Sequence, residues 1–112
     1  MSMGEYQHKL FSYSYAKGHK IVLENESIRE LEMNSADYDE LILKNCRIEY
    51  LNINKLSLYN LLWIEGTRIE NVDGKLHEYP VVVYVSEDSY VPEQFMNELK
   101  RNSKLFSRKA LE

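Results

Sequence analysis

Between residues 31 and 63 the apolar residues of this chain fall in pairs, and the pairs recur every five residues. They are Leu31/Met33, Ala36/Tyr38, Leu41/Leu43, Cys46/Ile48, Leu51/Ile53, Leu56/Leu58 and Leu61/Trp63. All 14 positions are apolar or aromatic in a chain that is 44% hydrophobic, so chance is a poor explanation. The gaps between successive members alternate 2 and 3. A straight half-buried strand keeps a gap of two, and an amphipathic helix alternates three and four. In extended backbone, residues two apart share a face and residues three apart do not. A gap of three stays on one face only if the chain bends in between. The pattern therefore describes short straight sides joined by corners, all pointing inward.

Four such five-residue sides close a turn of 20 residues, and the central blocks repeat on multiples of ten from Ser27 onward. A single turn cannot bury its own apolar interior, so neighbouring turns must supply the cover by stacking with parallel, in-register strands. The expected fold is mainly β: a short parallel β-solenoid with a C-terminal helical cap. The alternative is an antiparallel β-meander plus a helix. A meander explains the ten-residue period but not the change of parity inside each unit. Its turns should also show Asn-Gly, Asp-Gly or Gly-Gly. The only such dipeptide is Asp73-Gly74, after the repeat.

The pattern extends backward through Ile21/Leu23 and Phe11/Tyr13, with Gly18 and Glu26 as imperfect members. Forward, the register breaks at Gly66/Arg68 and resumes one residue later in "LWIEGTRIENV", where Leu62, Ile64, Thr67, Ile69 and Val72 carry the spacing. An insertion of one residue reads as a bulge or a slightly longer corner.

The stretches "LILKNCRIEYL" and "LWIEGTRIENV" place Leu41, Leu43, Cys46, Ile48 and Leu51, then Leu62, Ile64, Thr67, Ile69 and Val72, on an L-x-L-x-x-N/C/T-x-I/L-x-x-L line. That line resembles the core of leucine-rich repeats. The five-residue phasing is also similar to the pentapeptide-repeat β-helix. Leu43, Ile48, Ile53 and Leu58 match its central position, and Ala36 and Cys46 its small position. The resemblance covers roughly residues 20–75. Leu31, Leu41, Leu51 and Leu61 are too bulky for the pentapeptide coil, and the leucine-rich signature recurs here every ten residues rather than every 20 or more. Neither resemblance carries a catalytic residue across. Leucine-rich repeats imply protein binding, and pentapeptide proteins include acidic rods that imitate duplex DNA.

The chain's 112 residues suit a single domain over 1–110. Residues 1–19 form an N-terminal arm or irregular first coil and 20–76 the repeat. "VVVYV" marks a terminal strand over 80–86, and "DSYVPEQFMNELKRNSKLF" a capping helix over 90–107 with Phe95, Met96, Leu99 and Phe106 as its apolar stripe. Leu111-Glu112 reads as a cloning remnant. The start "MSMGEYQHKL" lacks the apolar segment of a secretory signal, and no run approaches a membrane span. A single cysteine forms no internal disulfide, which fits the cytoplasm.

Net charge is −4 and unevenly placed. Residues 100–109 hold five bases and no acid, leaving nine basic against 17 acidic residues over 1–99, a balance of −8. An acidic body argues against direct nucleic-acid binding. His8, His19 and His77 lack metal-ligand spacing with Cys46, which sits at an inward repeat position where a small inert thiol is expected. No catalytic residue, cofactor or metal is expected. The outward positions are more informative. Tyr50 and Tyr59 lie between inward pairs, Ile42, Leu62 and Ile64 fall outward in the ten-residue phase, and Asp37, Asp39, Glu40 and Glu49 surround them. Exposed tyrosine and aliphatic side chains on a rigid sheet suit a protein interface. The expected function is a non-enzymatic interaction module that binds another protein through this tyrosine-rich acidic face. Two other expectations are a DNA-mimicking inhibitor of a nucleic-acid-binding enzyme, and self-association through the open end of the coil.

Overall fold

The computed structural model describes residues 7–10, 19–33 and 37–109. Nine strands and one helix follow in the order β1 (Gln7–Leu10), β2 (Lys20–Glu24), β3 (Ser27–Glu32), β4 (Asp37–Lys44), β5 (Arg47–Asn52), β6 (Ser57–Glu65), β7 (Arg68–Asp73), β8 (Val82–Val85), α1 (Glu93–Asn102) and β9 (Leu105–Ser107). The strands form two sheets, ordered β1-β3-β5-β7 and β2-β4-β6-β8-β9. Every strand pairing among the described residues is parallel, which excludes the antiparallel meander. Up to β8 the chain alternates between the two sheets, one strand in each.

From β2 to the start of β6 partners lie 20 residues apart: Ile21 faces Leu41, Ile28 faces Ile48, and Tyr38 faces Leu58. Identical spacing lets identical side chains stack, and the interior is the result. Ile28, Leu31, Met33, Leu43, Ile48, Leu56, Leu58, Ile64 and Ile69 have no measurable exposure. Of the predicted inward residues, Ala36, Phe11, Tyr13 and Gly18 lie outside the described residues. The predicted four sides per turn resolve into two strands. The gap of three between Ile28 and Leu31, or Ile48 and Leu51, falls inside one strand, where the ladder passes from Ile28/Ile48 directly to Glu30/Tyr50. The bend is shared by neighbours, so pairing continues past it.

True reversals occur where the backbone turns left-handed. Asn25 (φ 58°), Asn45 (φ 54°) and Gly66 (φ 53°) occupy the same corner in successive turns. Asparagine and glycine tolerate that region where other residues are strained. The corners are tied vertically. Asn25 N donates to Lys44 O and Asn45 N to Glu65 O, each at 2.9 Å. Just past the Gly66 corner, and again at Ser89, a small side chain accepts from the backbone of the turn before it. Thr67 Oγ1 accepts from Cys46 N at 3.2 Å, and Ser89 Oγ accepts from Thr67 N at 3.0 Å.

The extra residue does not lie at Gly66. It is taken up earlier, as a bulge in β6. The β4–β6 register moves from Tyr38/Leu58 to Glu40/Leu61, so the offset becomes 21 at Leu41/Leu62 and stays so at Ile48/Ile69. A shift of one residue exchanges the faces of a strand. Leu62 (2% exposed) and Ile64 (0%) are therefore core residues, not the outward interface residues expected. Leu61 and Trp63, expected inward, are half-buried on the outer face instead.

The C-terminal helix is also shorter than expected. It runs from Glu93 to Asn102, and Ser103 is already extended (φ −93°, ψ 157°). Leu105–Ser107, placed in the helix from sequence, form β9 along β8. Phe106 accordingly packs from the sheet rather than from the helical stripe. Phe95 and Leu99 of α1 join the same core as the strands, with Val91 ahead of them.

The corner ladder makes a direct stability claim. Replacing Thr67 by valine preserves shape but leaves the Cys46 amide buried without its acceptor, which costs about 1–3 kcal/mol. Denaturant unfolding should show that loss for Thr67→Val and a smaller one for Thr67→Ser. Equal stability of Thr67→Val and the native chain would remove the ladder's proposed weight.

Candidate functional site

The two sheets carry very different outer faces. On the four-stranded sheet the cross-strand rows are Ser27/Arg47/Arg68, Glu30/Tyr50/Asn71 and Glu32/Asn52/Asp73. Arg29 reaches Glu49 at 3.6 Å, Arg68 pairs with Glu70 at 2.9 Å, and the Arg68 guanidinium also sits 4.5 Å from the centre of the Tyr90 ring. These exposed pairs each contribute little to stability. Tyr50, 46% exposed, stands among them.

The five-stranded sheet differs. One row reads Val22/Ile42/Trp63/Tyr84, and the next Lys20/Glu40/Leu61/Val82/Leu105. Val22 (45%) and Leu105 (47%) are strongly exposed, while Ile42, Leu61, Trp63 and Val82 are half-buried. The Trp63 and Tyr84 rings pack 4.3 Å apart, and Trp63 Nε1 donates to Glu65 Oε1 at 2.8 Å, which fixes the indole. A third row, Glu24/Lys44/Glu65, borders the apolar ones with alternating charge.

The predicted interface residues are thus split. Tyr50 and Glu49 belong to the four-stranded sheet, whereas Asp37, Asp39, Glu40, Ile42 and Tyr59 belong to the five-stranded one. Tyr59 Oη donates to Asp37 Oδ1 at 3.5 Å beside the bulge. Leu62 and Ile64 are withdrawn into the core. Sequence reasoning missed Leu61 and Trp63, because it placed the inserted residue seven positions too late.

Cys46 is 1% exposed, and its thiol donates to Leu23 O at 3.4 Å. Burial pushes the thiol's pKa up, away from the reactive thiolate. At the other end, a cleft of about 270 Å³ lies between α1 and the end of β7, bounded by Val72, Gly74, Lys75, Phe95 and Glu98. The Glu98 side chain is 10% exposed. It accepts from Tyr79 Oη at 3.1 Å, and Lys75 Nζ approaches it to 3.9 Å. Burial, then the hydrogen bond to Glu98, push the Tyr79 phenol up to about 12. Among the described residues no group of three His, Cys, Asp or Glu side chains could hold a metal ion, and no helix is long and apolar enough to cross a membrane. No protein-family model, curated protein or solved structure matches the chain.

Two measurements follow from these groups. Cys46 should react with a thiol reagent only as fast as the chain unfolds, and at once in denaturant; rapid stoichiometric labelling of the folded chain would contradict its burial. The Tyr79 proton is held up to about pH 12 in the folded chain, against 10 for an ordinary tyrosine. The neutral phenol is favoured by folding. Its stabilisation is fully present below pH 10 and is lost as pH rises through the folded value. Tyr79→Phe should therefore lose stability less steeply than the native chain across that alkaline window.

Proposed function

We propose that the chain is a short β-solenoid whose function is to bind protein through the outer face of its five-stranded sheet, without catalysing a reaction. The single observation that carries this reading is the row Val22/Ile42/Trp63 on the side away from the core, which ends against Tyr84, itself only 6% exposed. The solenoid reading rests on the 20-residue offsets, the alternation of the chain between two sheets, and the stacked corners at Asn25, Asn45 and Gly66. It keeps the likeness to leucine-rich repeats as a proposal: Cys46 and Thr67 stand at that line's small polar position and face each other across the corner.

The face has the composition of a binding surface. Tryptophan anchors it, aliphatic side chains surround it, and charges lie at its border. Duplex mimicry needs carboxylates in evenly spaced rows. Here Glu24 and Glu65 flank Lys44, and Arg29 and Arg68 sit beside Glu49 and Glu70. That interleaving favours a protein partner over imitation of DNA.

Site-specific photocrosslinking in the native cell tests the reading. A photoreactive residue at position 22 or 105 should give discrete protein adducts, and one at position 50, equally exposed on the other sheet, should give few. Trp63→Ala should suppress the adducts roughly tenfold, the ordinary weight of an aromatic anchor, with the thermal melt unchanged. Equal crosslinking from both sheets would overturn the assignment of the face.

A further inference from the structure

We infer that the occupant of this face is a second copy of the same chain, packed sheet against sheet about a two-fold axis that runs along the strands between β6 and β8. The inference rests on the binding-face reading above and adds the partner. Two observations carry it: where the apolar residues are centred, and how charge is distributed on either side of them.

The apolar residues are not spread evenly. β2 contributes Val22 between Lys20 and Glu24, and β4 contributes Ile42 between Glu40 and Lys44. β6 and β8 contribute Leu61, Trp63 and Val82, with Tyr84 buried beside Trp63, and β9 adds Leu105. The centre therefore lies between β6 and β8. A two-fold axis there opposes β6 to the partner's β8 and β4 to the partner's β9. Trp63 then meets the Tyr84 region of the other copy, and the apolar patch covers itself. Such an interface is self-complementary, as a two-fold requires.

Charge follows the same geometry. β4 and its start carry Asp37, Asp39 and Glu40, against Lys44 on that strand and Lys20 beside it. The β9 end carries Lys104, Arg108 and Lys109, and residues 100–109 contain no acid. Arg108 is fixed there by donating to Val85 O at 3.1 Å and to Ser86 O at 2.9 Å. The axis that centres the apolar patch thus sets the acidic strand of each copy opposite the basic edge of the other, twice over. An axis perpendicular to the strands in the same plane keeps like strands together and brings acid to acid and base to base.

Size sets the strength. With strands about 4.8 Å apart, the apolar centre measures on the order of 200 Å². A stable complex covers about 800 Å² on each partner, so most of this contact must come from the charged and polar border. The expected association is micromolar rather than nanomolar, and it weakens with salt.

Sedimentation equilibrium of the full chain at low ionic strength, from about 1 to 200 µM, tests this directly. The native chain should approach twice its monomer mass as concentration rises, with a parallel blue shift in the emission of its single tryptophan, Trp63. Trp63→Glu should stay monomeric with an unchanged circular dichroism spectrum. Charge reversal gives a sharper test. Glu40→Lys and Lys104→Glu should each remain monomeric alone, and an equimolar mixture of the two should associate, because every opposed pair is then of opposite sign. A native chain that is monomeric throughout overturns the second copy as occupant and leaves the binding face to its crosslinking test. A dimer that persists in Trp63→Glu places the contact elsewhere and overturns the self-packing of this face. Failure of the mixed variants to associate overturns the proposed axis.

Discussion

The corner at Asn25, Asn45 and Gly66 governs most of what the chain does. A left-handed residue turns the backbone sharply enough to leave one sheet and enter the other. Because it recurs at the same point in successive turns, each turn has its neighbour directly above it. The backbone amides at Asn25 and Asn45 find their acceptors one turn away, and so do those of Arg47 and Arg68, at 2.8 and 2.9 Å. An unsatisfied buried amide costs about 1–3 kcal/mol, which is large against a total stability of about 5–15 kcal/mol. Stacking gives each of these amides its partner. Gly66 shows how tight the stack is: a Cβ there would approach Asn45 Oδ1 to 2.6 Å. The side chain of one corner fills the space beneath the next.

That constraint explains where the inserted residue went. A longer corner at Gly66 would break the vertical ladder just where Thr67 and Ser89 take over the work of Cys46. A bulge within β6 disturbs one strand pair and leaves the corner intact, and Gly66 still carries φ 53° beside the 54° of Asn45. The parity change is the consequence. Beyond the bulge Leu62 and Ile64 continue the column of Leu41 and Leu43, and Trp63 is turned out beside Ile42. The indole is bulkier than the leucines and isoleucines stacked inside, and a close-packed column has no room to absorb that extra volume. Structural economy inside thus creates an aromatic anchor outside.

Much of this was legible in the sequence, and the exceptions have physical causes. Among the described residues the 2-and-3 spacing identified the inward members from Leu31 to Met33 and from Tyr38 to Leu58, because burial acts on every member of the column alike. It misplaced the sides, since a shared bend inside a strand and a corner between strands give the same spacing. The corners themselves were readable. Glu24-Asn25-Glu26, Lys44-Asn45-Cys46 and Glu65-Gly66-Thr67 align Asn, Asn and Gly, the residues that tolerate a left-handed backbone. Aligning those triplets would have put the insertion before Gly66 and moved Leu62 and Ile64 inside. The end of α1 was harder. Phe106 keeps a helical spacing from Leu99, and only the open edge of β8, a tertiary feature, draws it and Leu105 into a strand.

The two outer faces give the argument for function its force. Both sheets are built by the same turns and cover the same core, so folding places equal demands on their outward positions. On the four-stranded sheet those positions hold Arg47, Tyr50, Asn52, Arg68 and Asn71. On the five-stranded sheet the outward positions hold Val22, Ile42, Leu61, Trp63 and Val82 beside Lys20, Glu24, Glu40, Lys44 and Glu65. The two sheets would form as well with lysine or threonine in place of the five apolar residues, since none of these five belongs to the buried core. Apolar side chains left facing water invite association and aggregation. A row of them on one sheet, bordered by Glu24, Lys44 and Glu65 with an indole held to Glu65, is what the proposed binding face rests on.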